Sequence, residues 1–238
     1  MMSINTTYRT NEPEIMDDFS MEGETLIDAL DKIARINQFL GGNKLTISGI
    51  EALIKNIPEE EEICIIDLGC GNGDMLRCVA EYAARNNRNF RLIGIDANPF
   101  TIAYAKESSI HYPNIKYYSQ DIFAAGFQNF KYDIALCTLT LHHFKEAEVL
   151  QIMQILKDQA TIGIVINDLH RSAIAYRLFQ LLCFVFRLNE MSKKDGLTSI
   201  LRGFKKSELI DFSNKLNLNK YTVAWKWAFR YQWIISKT

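Results

Sequence analysis

The stretch Ile63-Cys64-Ile65-Ile66-Asp67-Leu68-Gly69-Cys70-Gly71-Asn72-Gly73-Asp74 constrains this chain more than any other. A continuous apolar run entering a glycine cluster reads as a buried strand, a tight turn and a helix start. Glycine has no Cβ and tolerates φ > 0, so such a turn lets the backbone come close to a ligand. The helix N-terminus behind it offers unpaired N–H groups to a carboxylate or phosphate. This is the pattern of a nucleotide-cofactor turn. The dinucleotide fingerprint G-x-G-x-x-G needs a third glycine to seat the helix on the strand. Here Asp74 stands in that place, and Asp67 precedes the first glycine by two positions.

Strand and helix patterns alternate from there. Met75, Leu76, Val79, Ala80 and Ala83 have helical spacing, and Arg91–Asp96 follows as a second strand. Asn98-Pro99 starts a helix, with a side-chain cap and proline at the first helical position. Residues 115–118 and 132–137 read as strands three and four, 146–157 as a helix, and 161–167 as strand five. Near-continuous apolar strands separated by helices imply a parallel sheet covered on both faces. The end of the chain differs: 221–227 and 231–236 are aromatic, alternating runs around a short turn, which predicts an antiparallel pair.

Two pieces fall outside this core. Residues 25–57 predict two amphipathic helices, the first carrying Leu26, Ile27, Leu30, Ile33 and Phe39 on one face and ended by Gly41-Gly42. Residues 172–188 are apolar nearly all round yet carry Arg177, Gln180 and Arg187, and are short for a membrane span. They read as a buried lid helix, with a membrane-surface helix as the alternative. The expected division is a helical cap over 1–57 and a main domain over 58–238 with a helical insertion at 171–203.

Composition limits the function classes. The chain has 238 residues, 48% hydrophobic and 23% charged, with a formal net charge of −1. That charge gives no general attraction for nucleic acid. The N-terminus lacks the basic segment and apolar core of a signal peptide. Five scattered cysteines without a C-x-x-C pair suggest neither a disulfide framework nor a zinc site, which points to a reducing cytoplasm. The oligomeric expectation is a monomer or homodimer, with no stable membrane insertion.

In an open α/β sheet, ligands bind at the C-terminal ends of the strands. Strand two delivers Asp96, whose carboxylate can accept from two ribose hydroxyls. Strand three leads to Ser119-Gln120-Asp121-Ile122, where a carboxylate and the next N–H suit an adenine edge. Strand four delivers Cys137-Thr138 and then Leu139-Thr140-Leu141-His142-His143-Phe144; strand five delivers Asn167-Asp168-Leu169-His170-Arg171.

Asp67-Leu68-Gly69-Cys70-Gly71-Asn72-Gly73 resembles the first motif of the class I S-adenosylmethionine (SAM) methyltransferases, and the later strand ends extend the likeness from Ile63 to Arg171. The resemblance implies a doubly wound α/β fold, a seven-stranded Rossmann-like sheet of five parallel strands closed by the C-terminal hairpin. It implies SAM as cofactor and S-adenosylhomocysteine (SAH) as product. By it, Gly69, Cys70 and Gly71 pass the methionine moiety, Asp96 holds the ribose, Asp121 and Ile122 meet the adenine, and the backbone near Cys137 accepts from the ammonium; Asp67, Ala97 and Thr138 are further cofactor contacts. The segment 34–42 resembles the pre-core helix of quinone-biosynthesis C-methyltransferases, which makes Arg35 and Asn37 candidate contacts. Residues 167–206 resemble a bacterial small-molecule group linked with polyketide or pigment chemistry.

The acceptor's chemistry is read from what is present and what is missing. A phenol or enol must lose a proton, and histidine is the side chain that titrates near neutrality. His142 or His143, His170, or no protein base at all are the readings left open. The Asn/Asp-Pro-Pro-aromatic motif of amine methyltransferases is missing after strand four. The carboxylate and Asp-Asn pair of metal-dependent catechol enzymes are also missing, so no metal is expected. The expectation is methylation of a small aromatic, polyketide-like or otherwise lipophilic acceptor at oxygen, with carbon as the variant. A SAM-binding scaffold working through a partner protein, and a protein or RNA methyltransferase, are the alternatives.

Overall fold

A computed structural model describes residues 4–237. Its sheet runs β3-β2-β1-β4-β5-β7-β6. The strands are β1 (Glu62–Leu68), β2 (Asn89–Asp96), β3 (Ile115–Ser119), β4 (Ile134–Thr138), β5 (Gly163–Leu169), β6 (Tyr221–Lys226) and β7 (Arg230–Ser236). β1 to β5 are parallel, and β7 inserts antiparallel between β5 and β6. This is the doubly wound, seven-stranded sheet expected from the sequence.

Side chains alternate across the strands, as a sheet covered on both faces requires. Ile63, Ile65, Ile134, Leu136 and Val165 join one core with α2 (Gly42–Ile54), α3 (Asp74–Arg85) and α4 (Pro99–Ser108). Cys64, Ile66, Ala135, Cys137 and Ile166 join the other with α5 (Glu146–Gln159) and α8 (Lys206–Lys215). The order reverses between β1 and β4, which opens the crevice where such sheets bind ligands. Asn98 caps α4 as its sequence predicts, its Oδ1 accepting from the N–H groups of Phe100 and Thr101.

Two expectations need correction. The cap expected over 1–57 divides: α1 (Glu24–Phe39) lies over the crevice, while α2 packs against the sheet with Ile50, Leu53 and Ile54 in the core. The segment expected as a buried lid is α6 (Ala173–Val185), of which only Ala175 and Cys183 are buried. Ile174, Leu181, Phe184 and Val185 are exposed on its outer side. A second helix, α7 (Glu190–Arg202), completes the insertion.

Candidate active site

The glycine turn has the shape its composition implies. Gly69, Gly71 and Gly73 have φ of +64°, +52° and +77°. A Cβ at Gly69 would collide with Thr140, and one at Gly73 with the Tyr117 ring. The Asp96 carboxylate accepts from Gly71 N–H at 3.1 Å and from Asn98 N–H at 3.0 Å, tying the turn to the end of β2. Asp67 is 1% exposed, and its Oδ1 has no partner. Burial, with Asp96 and Asp74 nearby, pushes its carboxyl well above the ordinary range. Removing an anion from water without a partner is costly, so this orphaned oxygen suits a cationic ligand group.

Above the crevice lies a cavity of about 1180 Å³. Asp67, Gly69, Cys70, Gly71, Asp96, Ala97, Asp121, Ile122, Cys137 and Thr138 all line it, as do His142, His143 and His170. Arg35 does not; it sits on the exposed face of α1, because the helical period turns Ala34 and Asn37 inward instead. Asn37 is buried at the cavity wall. Leu178, Phe179 and Leu182 of α6 close the far side, together with the turn Trp227–Phe229. Two turn residues, Ala228 and Phe229, and Leu139 after β4 have positive φ without being glycine. Such strained backbone collects at functional sites.

The N-terminal segment forms a strap that the sequence does not announce. Arg171, wholly buried, donates to the carbonyls of Thr6, Thr7 and Gly203 and pairs with Glu208. Arg9 donates to the carbonyls of Arg202, His142 and Phe144. Asp195 of α7 accepts from the N–H groups of Ile15 and Met16. These bonds bring Glu14 and Asp17 onto the histidine pair.

His142 is 2% exposed. Its Nδ1 lies 2.7 Å from Asp168 Oδ1, and Asp168 Oδ2 accepts from the His142 N–H at 3.1 Å. A carboxylate can only accept, so Nδ1 carries the hydrogen and the lone pair of neutral His142 is on Nε2. Burial would raise the Asp168 carboxyl, but the charge and hydrogen bond of His142 and the Leu169 N–H hold it below its ordinary value. Nε2 has no hydrogen bond; across from it, at 3.8 Å, is Glu14 Oε1, also buried and without a hydrogen bond. Burial raises the Glu14 carboxyl above its ordinary value, against His143, a Ser199 hydrogen bond and Arg202.

His143 Nδ1 bonds Asp17 Oδ1 at 2.6 Å, and Asp17 Oδ2 accepts from Arg202 Nη1 at 2.6 Å. His170 differs: its Nδ1 accepts from Trp225 Nε1 at 3.2 Å, which occupies the lone pair of that ring. Burial, then Lys205 and Arg171, lower its pKa and keep it neutral. Ligating atoms of Glu14, His142 and His143 lie within 4.8 Å of one another, a spacing a metal ion could use. The Arg202 guanidinium, 3.6 Å from Glu14 Oε1, already supplies a cation there, and His143 Nδ1 is engaged by Asp17. Of these partners, Asp168 and Arg202 stand in stretches the sequence singles out, but without roles. Glu14 and Asp17 carried no signal.

Residues 65–163 match the family described as a methyltransferase domain. A 62-residue segment is 37% identical to 2-phytyl-1,4-naphtoquinone methyltransferase of Thermosynechococcus vestitus, covering 26% of this chain and 26% of that protein. Among solved structures, the plantazolicin methyltransferase BpumL in complex with SAH superposes with TM-score 0.65 at 15% identity, covering 88% of this chain and 89% of that one. Magnesium protoporphyrin IX methyltransferase from Synechocystis PCC 6803, with bound SAH, gives TM-score 0.54 at 14% identity over 83% and 84%. At those identities the likeness is one of fold. Domain match, sheet order and glycine turn agree: residues 65–163 are similar to a methyltransferase domain, and the chain has the seven-stranded, Rossmann-like methyltransferase fold.

Proposed function

We propose that this protein transfers the methyl group of SAM to a hydroxyl oxygen of a small aromatic or polyketide-like acceptor, with His142 as the base. One observation carries the choice of base: a buried Nε2 without a hydrogen bond, on a residue that lines the cavity and whose Nδ1–H is held by Asp168. SAM supplies an electrophilic methyl when bound. The orphaned Asp67 oxygen and the side-chain-free cradle at Gly69 and Gly71 fit its methionine end. Asp96 suits the ribose, and Asp121 and Ile122 the adenine.

An acceptor hydroxyl brought to His142 Nε2 from the cavity donates to it and gives up its proton there. The imidazolium that results is stabilised by Asp168 on one side and the Glu14 carboxylate on the other. His143, held by Asp17, forms the wall beside it. His170 is less suited to the role, because its acceptor nitrogen is taken by Trp225. Strap, α6 and α7 exclude water, which favours both the proton transfer and the alignment on which methyl transfer depends.

Apolar walls from Leu178, Phe179 and Leu182 suit a flat, lipophilic acceptor. The matched proteins are named for 2-phytyl-1,4-naphtoquinone, plantazolicin and magnesium protoporphyrin IX, which accords with a small-molecule acceptor. No helix among the described residues is long and apolar enough to cross a membrane, and the five cysteines are free, as suits a reducing cytoplasm. The test is transfer from methyl-labelled SAM into a metabolite extract. Label in an extractable product that protease and RNase leave intact supports the reading; label that either enzyme releases overturns it. The exposed outer side of α6 favours one rival, a SAM-binding scaffold for a partner protein. Binding of SAM without any transfer would select that one.

A further inference from the structure

Arg230, the first residue of β7, carries a charge that the protein does not balance. It is 3% exposed, lines the cavity, and has no partner for Nε or Nη1. The acid whose charge it feels is Asp168, already committed to His142 and to the N–H groups of His142 and Leu169. Burial lowers its pKa to about 10, so the guanidinium remains charged at neutral pH. A buried cation with free donors is costly unless an anion completes it.

We infer that Arg230 receives a carboxylate inside the cavity. Its planar fork matches two carboxylate oxygens. The surroundings are shaped for this. Gly42, at the start of α2, packs closely here: a Cβ would collide with the Asn37 side chain and lie 3.2 Å from Arg230 Cζ. The positive end of α2 therefore closes on the same spot. Asn37 beside Gly42 bonds Asn43, which in turn bonds Asp74 at the start of α3, just behind the glycine turn. Asp67 offers an unpartnered carboxyl oxygen in the same cavity. A buried cation with free donors and a buried carboxyl with a free acceptor oxygen complement an α-amino acid group, which is the methionine end of SAM. This choice of source rests on the function proposed above; a carboxylate on the acceptor is the other source.

Calorimetry on the wild type, Arg230→Met and Arg230→Lys separates the sources. The probes are SAH, decarboxylated SAH, and 4-hydroxybenzoate titrated into SAH-loaded protein. With the cofactor as source, Arg230→Met weakens SAH roughly 10- to 100-fold while both proteins bind decarboxylated SAH alike. Arg230→Lys falls between, and carries the test should the Met variant not fold. If SAH is unaffected and 4-hydroxybenzoate binding falls by that factor, the carboxylate is the acceptor's, and the inference still stands. Unchanged binding of both probes overturns it. A wild type that fails to bind SAH at all overturns the cofactor reading first, and is seen before any variant is made.

Discussion

Asp17 and His143 stand 126 positions apart in the chain and are joined by a 2.6 Å hydrogen bond. The bond fastens the N-terminal strap to the turn after β4, and Arg202 of α7 holds the other oxygen of the same carboxylate. Three separate parts of the chain thus meet at one carboxyl group, directly beside Glu14 and His142. The side of the cavity proposed for the acceptor is therefore assembled by the strap and the insertion, while the side proposed for the cofactor is built into the sheet.

The proposed base is tested by changing the histidines singly. His142→Gln should lower kcat roughly 10²–10⁴-fold with SAH affinity retained, since most of the expected cofactor contacts lie at the ends of β1, β2 and β3. Asp168→Asn should lower it as well, because the amide can present its NH₂ to Nδ1 and favour the wrong tautomer. His170→Gln should cost much less. A His142 variant within about tenfold of the wild type would leave catalysis to alignment alone.

The strap should loosen in acid, with a predictable sign. Burial opposes ionisation of Asp17, but the His143 and Arg202 hydrogen bonds outweigh it and hold the carboxyl well below the ordinary range. Its folded pKa is depressed, so its stabilisation is present above the ordinary aspartate value of about 3.9 and is lost as pH falls through the folded one. Hydrogen exchange over residues 9–20 should stay slow from neutrality to about pH 4 and quicken below it. Asp17→Asn should exchange fast already at neutral pH. Equal protection in the variant would mean that Arg9 and Arg171 hold the strap unaided.

On the cofactor side, Asp96→Ala should weaken SAH binding by roughly 2–4 kcal/mol, the worth of two overlapping hydrogen bonds to a charged acceptor. Calorimetry showing unchanged affinity would remove Asp96 from the ribose. Some loss could come from the loop, since Asp96 also holds Gly71. Comparing SAH with 2′-deoxy-SAH in both proteins isolates the hydroxyl contribution.

The sheet was legible because parallel strands buried on both faces leave near-continuous apolar runs, and Ile63 to Leu68 is one. The proposed cofactor side was legible because its residues follow those strands at once, as Asp96 and Asp121 do. Arg35 failed as a cavity residue because charge type was read without helix phase: the wall turns toward Asn37, two residues on. Arg230 was hidden by its setting, since a basic residue in an aromatic hairpin that also carries Lys226 gives no sign of burial. Glu14 and Asp17 were hidden for a different reason. They act through contacts with α7 and the turn after β4, and no local period encodes contacts so distant in sequence.

The two sides of α6 should behave differently. Phe179 faces the cavity and packs on Gly196, whereas Phe184 is 83% exposed. Phe179→Ala should raise the acceptor KM and leave SAH affinity nearly unchanged. Phe184→Ser should leave turnover of a soluble acceptor unchanged. Tyr176 does not line the cavity, so Tyr176→Ala should follow Phe184 rather than Phe179. Equal loss of acceptor and cofactor binding in Phe179→Ala, with a large fall in Tm, would make the helix a packing element only.

Glu14 should trade stability for function. Burial, the largest influence, raises its carboxyl against the pull of His143, Ser199 and Arg202. A raised folded pKa means that its favourable contribution is complete below the ordinary glutamate value of about 4.3 and is lost as pH rises through the folded one. Ionising this group is thus a net cost to the cofactor-free protein. Glu14→Gln keeps the bond from Ser199 and removes the charge. It should raise Tm at pH 7.5 by about 2–4 °C, the shift that roughly 1 kcal/mol produces in a domain of this size, and the gain should vanish near pH 4. Turnover should fall, because the imidazolium of His142 loses its opposite charge. A Tm lowered equally at both pH values would mean that the carboxylate is a structural partner of Arg202 and not a group held ready for the acceptor.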